Sequence, residues 1–441
     1  ANGFDLHQFT RWYSQAGTPE LTLKTKYEQE KNRYRLTIRQ TCPPTPGQEN
    51  KKPFFMPVNI GLLDSTGKTF FEQTLILQDE EQNFYFNHIE HEPVCSILRN
   101  FSAPVKINME RSDQELAFLM AHDSDPFNRW DAGQQLAMKV LLDGIESFQQ
   151  GKPLAVPDYF HHAFAGLLVD EHSEPAFLAQ ALTLPSENWI GQQLPIVDPE
   201  AIFYTRQSLR RQLSEEHRDI LWENYHQLGT EDAYVYSAAE AGRRSLRNVM
   251  LGYLLVVDQD GEIEEEVLTA GEEQYLQSDN MTEIMAALSA VVNADRERGN
   301  TLLDDFYLKW QNDPLVVDKW LTLQATCVLP GTLNRVQALT THPAFSLKNP
   351  NKVRSLIGAF CSGNHWQFHN PDGSGYLFLT DHVLTLDPLN PQIAARLLTP
   401  LTLRRRYDEV RRHLMKKQLQ RISDSENLSN DVREIVTRSL A

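Results

Sequence analysis

"SDQELAFLMAH", residues 112–122, is the stretch that decides the fold. Before it, apolar residues recur at every second position; from it to the C-terminus they recur at helical spacing. Upstream, "LTLKTKY" (21–27), "YRLTIRQT" (34–41), "FFMPVNIGLLD" (54–64), "TLILQD" (74–79), "NFYFNHI" (83–89) and "VKINMER" (105–111) read as strands. "DSTGK" (64–68) and "DEEQN" (79–83) read as turns, and "CPPTPGQENKKP" (42–53) as a loop joining two strands. Six or more short strands without helices predict a β-sandwich.

Downstream, "DAGQQLAMKVLLDGIESFQQ" (131–150), "AEAGRRSLRNVMLGYLLVV" (239–257), "TEIMAALSAVV" (282–292), "TLLDDFYLKWQ" (301–311), "VRSLIGAFCS" (353–362) and "LRRRYDEVRRHLMKKQLQRI" (403–422) all read as helices. Asp131, Ser237 and Thr282 stand where N-caps belong. A long run of helix hairpins without strands predicts a large all-α superhelical domain of HEAT or armadillo type, its repeats too degenerate to show a strict period. Trp130, Trp310 and Trp320 lie within apolar runs and read as core.

The opening segment "DLHQFTRWYSQAGTP" (5–19) reads as a helix over 5–16. Asp5 and Gln8 have capping-box spacing, Leu6, Phe9, Trp12 and Tyr13 share a face, and Gly17 and Pro19 end it. So short a helix cannot hide that much aromatic surface alone. It must pack on the next domain or on something missing.

The chain has 441 residues, enough for two to four domains. Its 42 Lys and Arg against 59 Asp and Glu give a formal charge of −17, a surface that repels phosphate backbones and anionic membranes. Nucleic acid is therefore not an expected partner, and no apolar run is long enough for membrane insertion. The four cysteines, at 42, 95, 327 and 361, are far apart and suit a reducing cytoplasm.

No self-contained active site emerges. HExxH, GxSxG, the Walker A loop and GxGxxG are all missing from the sequence. "HIEHE" (88–92) alternates like a strand end or loop and lacks the i, i+4 geometry of a zinc pair. His161, His162 and His172 are ordinary helix positions. "DQDGEIEEE" (258–266) lacks the full set of oxygen ligands of a calcium loop and reads as an acidic solvated loop. The basic segment 404–421 is expected to pair with the acidic remainder of the protein.

Several long words then carry a resemblance: "FTRWYSQAGTPELTL", "FSAPVKI", "SDQELAFLMAHDSDPFNRWDA", "DKWLTLQAT", "NPNKVRSLIGAF", "FHNPDGSGYLFL", "NPQIAARL" and "LSNDVREIV". In this order the chain resembles the C-terminal portion of bacterial M1 family aminopeptidases, along its whole length. The resemblance implies that 1–16 is the remnant of the last helix of a thermolysin-like zinc domain. It implies a β-sandwich at 17–112 and, at 113–441, a helical bowl that closes over the active-site chamber. In the family the zinc motif HExxH and the GxMEN loop lie N-terminal to everything present here. The resemblance therefore implies zinc as cofactor of the parent enzyme, with no zinc bound and no catalytic residue supplied by this chain, which alone should be inactive. The implied partners are peptide substrates and the N-terminal and zinc domains.

By family position, Arg354 and Arg396 are candidates for the chamber wall, holding the C-terminal side of a peptide or its backbone carbonyls, since arginine binds carboxylates bidentately. The competing reading of each is a structural arginine bonding helix C-terminal carbonyls. Tyr376, in the "DGSGY" loop with Asp372 and Ser374, is a third candidate for substrate contact; the alternative is a tight turn with Tyr376 packed on Trp366 and Phe368. Two other functions stand beside the aminopeptidase reading: a free-standing α-solenoid scaffold or peptide-binding module, and a chain with a hydrolase site of its own.

Overall fold

The computed structural model describes residues 5–230, 232–256 and 263–441. Most of the acidic segment 258–266 therefore lies outside the described residues.

The sandwich contains β1 (Glu20–Glu28), β2 (Arg33–Thr41), β3 (Met56–Leu63), β4 (Thr69–Leu77), β5 (Glu81–Asn87), β6 (Val94–Ile97) and β7 (Lys106–Met109). One sheet runs β5-β2-β1-β7 and the other β4-β3-β6. β1 and β2 are antiparallel, with Leu23 opposite Ile38, whereas β1 and β7 are parallel, with Leu21 beside Ile107. Alternation decides what is inside: Leu21, Leu23, Leu36 and Ile38 from one sheet meet Met56, Val58, Ile60 and Leu62 from the other, all buried. Each such side chain contributes ~1.5–3 kcal/mol. The "DSTGK" turn forms as read, with Asp64 Oδ1 accepting the Thr66 N–H at 2.8 Å and Gly67 at φ +86°.

β6 escaped the sequence reading. It is four residues long and follows the polar "HIEHEP", which offers no alternation to detect.

The opening segment departs from its expected helix. Only Arg11–Ser14 is α-helical, after a run of turns. Asp5 accepts the His7 N–H, and Gln8 spends its amide on the carbonyls of Pro53 and Gln78 instead of closing a capping box. The aromatic face divides. Tyr13 is 85% exposed, Phe9 is half-buried, and Trp12 lies on the sandwich core against Phe54.

By contact, the chain forms two compact units. The first comprises residues 1–139, 157–173 and 180–184, and the second 140–156, 174–179 and 185–441. The first thus takes in helices Asp113–His122 and Asp158–Leu168 with the sandwich. Helix Asp113–His122 starts with a capping box between Ser112 and Glu115. Arg99, 4% exposed, donates to Asp123 Oδ1 at 2.9 Å, and Asp125 Oδ2 accepts the Asn100 N–H at 2.8 Å.

Among the described residues the second unit carries helices and no strand. Helices Ala238–Leu254, Glu265–Gln277, Met281–Ala294, Arg296–Trp310 and Pro314–Ala325 pack largely on their sequence neighbours, the arrangement expected of a solenoid. Ser237 caps its helix as expected. Asp131 and Thr282 do not cap: they sit inside helices Pro126–Gln149 and Met281–Ala294. The upstream Asp125, before a proline, and Asn280 take those roles, accepting from Asn128 N and Glu283 N at 3.0 Å each. Of the three tryptophans read as core, Trp320 is buried, while Trp130 and Trp310 are half-buried. All four cysteines are free thiols. Among the described residues no helix is long and apolar enough to cross a membrane.

Candidate functional site

Arg354 opens a wide π-helical turn, Arg354–Gly358, between helices Pro350–Val353 and Ala359–Gly363. π-turns inside helices occur often at functional sites because the extra residue breaks the i→i−4 ladder. Pro350, at the first helical position, and Asn349, whose Oδ1 accepts the Asn351 N–H at 3.0 Å, fix the entry. The turn is anchored from within: Lys352, buried, meets Asp318 at 2.8 Å and donates to the Pro314 carbonyl at 2.8 Å. Thr322 Oγ1 donates to the Ser355 carbonyl at 3.1 Å.

On this base the Arg354 side chain is exposed and hydrogen-bonds Asn351 Oδ1. It lines a groove of about 970 Å³ together with Lys319, Asp318, Thr322 and Asn351. Lys319 is exposed as well, and the charge of Asp318 is matched by Lys352. Two cations, Lys319 and Arg354, therefore remain available in the groove, which suits an anionic group such as a carboxylate. Lys319 was missed in the sequence: it lies in another helix from Arg354, and no local pattern links them.

Arg396 is exposed in the last turn of helix Pro391–Leu397, capped by Asn390. This helix passes close to the wide turn, since a Cβ at Gly358 would lie 3.8 Å from Leu397 Cδ2 and 3.9 Å from Arg354 Cβ. Arg396 itself is not among the residues lining the groove.

Tyr376 is a correction. It is fully buried and packs on Phe368, ring centroids 5.4 Å apart, with its hydroxyl 3.0 Å from His369 Nδ1. With no exposed surface it offers nothing for a ligand to touch. Trp366 is not its partner but stacks on Phe203 at 5.1 Å. The "DGSGY" loop is built for its turn: Gly373 has φ +73°, and Asp372 Oδ1 accepts the Ser374 N–H at 2.8 Å. A Cβ at Gly375 would come within 2.2 Å of the Phe368 carbonyl.

Behind Tyr376 runs a buried chain of hydrogen bonds. Tyr407 Oη lies 3.0 Å from His369 Nε2 and 3.3 Å from His365 Nε2. Arg411 donates to the His369 carbonyl at 2.7 Å and to Asp408 at 2.8 Å. Burial, with the Arg411 charge nearby, pushes the His365 imidazole down to about 4 and holds His369 well below the usual range. Burial pushes the Tyr407 phenol up to about 12.

The basic segment is also corrected. Its arginines serve carbonyls more than acids: Arg404 bonds Ser439 O and Leu440 O, Arg406 bonds Gly191 O and Leu194 O, and Arg412 bonds Tyr407 O. Ion pairs are formed by Arg411 with Asp408 and by Arg421 with Asp381. The Arg404 and Arg406 bonds finish the C-terminal ends of helices Asn430–Leu440 and Glu187–Gln193.

Zinc does not fit the side chains present. Among the described residues no three His, Cys, Asp or Glu side chains converge on a metal-sized space. His88 and His91 are exposed, and both ring nitrogens of His369 are engaged by tyrosine hydroxyls.

Two family models match consecutive parts of the chain. The model described as "Domain of unknown function (DUF3458_C) ARM repeats" covers residues 113–441, and "Domain of unknown function (DUF3458) Ig-like fold" covers 17–110. The chain belongs to the DUF3458 family. Relatives of this DUF3458 chain include aminopeptidase N of Escherichia coli strain K12, 40% identical over 450 residues, covering 100% of the chain and 51% of that protein. Aminopeptidase N of Caulobacter vibrioides is 37% identical over 442 residues, covering 100% and 50%. The crystal structure of Legionella pneumophila aminopeptidase A in complex with aspartic acid superposes with a TM-score of 0.81 at 32% identity, covering 99% of the chain and 50% of that structure. The chain spans about half the length of the curated relatives it matches, the C-terminal half.

Proposed function

We propose that this DUF3458 chain forms the C-terminal part of a cytoplasmic M1 zinc metalloaminopeptidase that removes N-terminal amino acids from peptides. The observation that carries the reading is the 40% identity to aminopeptidase N along the entire chain. Zinc and the hydrolytic step belong to the half of such an enzyme outside this sequence, so the chain by itself is inactive. What its own residues do is bind and orient. The helical domain walls the chamber, and Arg354, held by Asn351 and flanked by Lys319, takes the C-terminal carboxylate of a short peptide. Arg396 takes a backbone carbonyl or a carboxylate further along. A charged hydrogen bond of this kind contributes ~1.5–3 kcal/mol, equivalent to roughly ten- to hundredfold in KM.

The test joins this sequence to the zinc-bearing half and compares Arg354→Ala and Arg396→Ala on tri- and tetrapeptides and on alanyl-p-nitroanilide. The expected result is a raised KM for peptides with little change for the anilide, which has no carboxylate to hold. Unchanged peptide kinetics in both variants would remove the arginines from the chamber wall. Anilide turnover by this chain alone would remove the proposed division of labour.

A further inference from the structure

The second unit holds a pocket of about 820 Å³ that neither Arg354 nor Arg396 lines. Helix Ala238–Leu254 turns three arginines toward it: Arg243, Arg244 and Arg247. Arg247 stands one helical turn beyond the other two, at i+4 and i+3, where Cβ atoms are about 5–6 Å apart.

The three guanidinium groups are unequally served. Arg243 Nε donates to Glu240 Oε2 at 2.9 Å, and its Nη1 donates to the Leu228 carbonyl. Arg247 Nη1 donates to Glu283 Oε1 at 3.2 Å. Arg244 is only 3% exposed, yet among the described residues it donates no hydrogen bond. Its Nη1 stands 3.6 Å from the same Glu240 Oε2, so Arg243 and Arg244 flank one oxygen atom. Arg244 Nε is sealed off without a partner, whereas Nη1 and Nη2 keep accessible surface at the pocket. The group is held in place by the Tyr234 ring, whose centroid lies 4.8 Å from Arg244 Cζ.

The charge balance points to a kind of ligand. Three guanidinium groups meet two carboxylates, Glu240 and Glu283, at ion-pair distance. Asp232 and Asp279 also line the pocket, but both are exposed and neither forms an ion pair among the described residues. Asp279 Oδ2 accepts the Tyr234 N–H at 2.8 Å, a bond that, with the Arg244 charge further off, holds its carboxyl below the usual range. A nearly buried cation without hydrogen bonds is costly, and a guanidinium offers a planar fork to an oxyanion. The shortfall is a single negative charge, and four carboxylates on the same pocket repel a dianion such as phosphate. Gln277 and Ser278 give the remaining wall polar groups for the body of a ligand.

We propose that this pocket binds a polar monocarboxylate, its two oxygens on the open terminal nitrogens of Arg244, with Arg243 and Arg247 alongside. This goes beyond the peptidase reading and does not depend on it.

The experiment titrates the 441-residue chain with N-acetylserine, following thermal melting and heat of binding. N-acetylserinamide, which lacks the charge, and inorganic phosphate serve as comparators. N-acetylserine is expected to bind saturably, with the amide weaker by roughly tenfold or more, as sites built for polar groups reject analogues lacking them. An acetylated tetrapeptide of serine and glycine, ending in a free carboxylate, is run beside it. The tighter of the two acids tells a free acid from a chain end, and either upholds the site. The titration is repeated in Arg354→Ala, which removes the other carboxylate-binding groove, and in Arg244→Gln. Binding should survive Arg354→Ala and fall at least tenfold in Arg244→Gln, with circular dichroism unchanged. If Arg244→Gln fails to fold, the comparison of acid with amide in the Arg354→Ala chain still decides. No saturable binding of either acid, an amide or phosphate that binds as well as the acids, or binding lost in Arg354→Ala and kept in Arg244→Gln would overturn the proposal.

Discussion

Trp12 donates its indole N–H to the Phe55 carbonyl at 2.8 Å and lays its ring on Phe54 with centroids 4.4 Å apart. One residue on, Tyr13 has no such anchorage and is 85% exposed. Trp12→Ala should therefore cost the sandwich about 2–3 kcal/mol, from lost aromatic packing and one hydrogen bond. Tyr13→Ala should stay within about 0.5 kcal/mol of the parent. Urea unfolding of both variants checks the contrast; equal effects would mean that the opening segment is not stitched to the sandwich through Trp12.

Arg99, two residues past β6, reaches Asp123 over the backbone of Gly61, where a Cβ would stand 2.6 Å from its Nη1. Gly61→Ala should displace the guanidinium and destabilise by about 1–3 kcal/mol. Arg99→Ala should cost about 3–5 kcal/mol, because Asp123, with no exposed side-chain surface, is left as an uncompensated buried charge. The double variant Arg99→Ala with Asp123→Asn should recover part of that loss. A double variant no more stable than Arg99→Ala alone would show that the charge is not what the cost measures.

The buried histidines set an acid window. His365 and His369 are held neutral in the fold, with His365 at about 4, whereas an unfolded histidine titrates near 6.5. Between those values the unfolded chain binds more protons than the folded one. Stability therefore falls as pH falls, by ~1.4 kcal/mol per pH unit for each such histidine. The stabilised carboxylates, Asp170 at about 2 among them, give up their contribution only at lower pH, below their unfolded values. Urea unfolding at pH 7 and pH 5 should show this slope, and His365→Gln should reduce it. A slope unchanged by that substitution would place the acid sensitivity elsewhere.

Two glycines should respond in opposite directions. Gly375→Ala drives a methyl into the Phe368 carbonyl and should cost about 2–4 kcal/mol. Gly166, inside helix Asp158–Leu168, has no atom within 4 Å of a built Cβ and a negative φ. Gly166→Ala should raise stability by about 0.5–1 kcal/mol. Melting temperatures of the two variants, each against the parent, provide the check.

Legibility in the sequence followed what local pattern can encode. Leu21, Leu36 and Met56 announce a two-faced sheet through alternation alone, and the helical period after Ser112 is equally direct. What failed depends on distant partners. Gln8 and Arg11 have the composition of a helix but spend their donors on the Pro53 carbonyl, more than forty residues away in sequence. Tyr376 looks like a loop residue free to meet a ligand until His369, one helical turn upstream of the loop, takes its hydroxyl. Lys319 and Arg354 become neighbours in one groove only when their two helices pack, a relation no spacing rule contains.

The wide turn at Arg354–Gly358 holds one residue more than an α-helical turn needs. Removing a single residue there would restore an unbroken α-helix and leave the helix on either side in its present register, because a turn bonded i→i+5 has already absorbed the extra residue. The turn is thus a one-residue reserve: a one-codon deletion can change which side chains stand on it while leaving the Lys352–Asp318 anchor before it and the helix after it in place. Length variation at this position is a route by which related chains can change the side chains presented to the groove without redesigning the packing on either side.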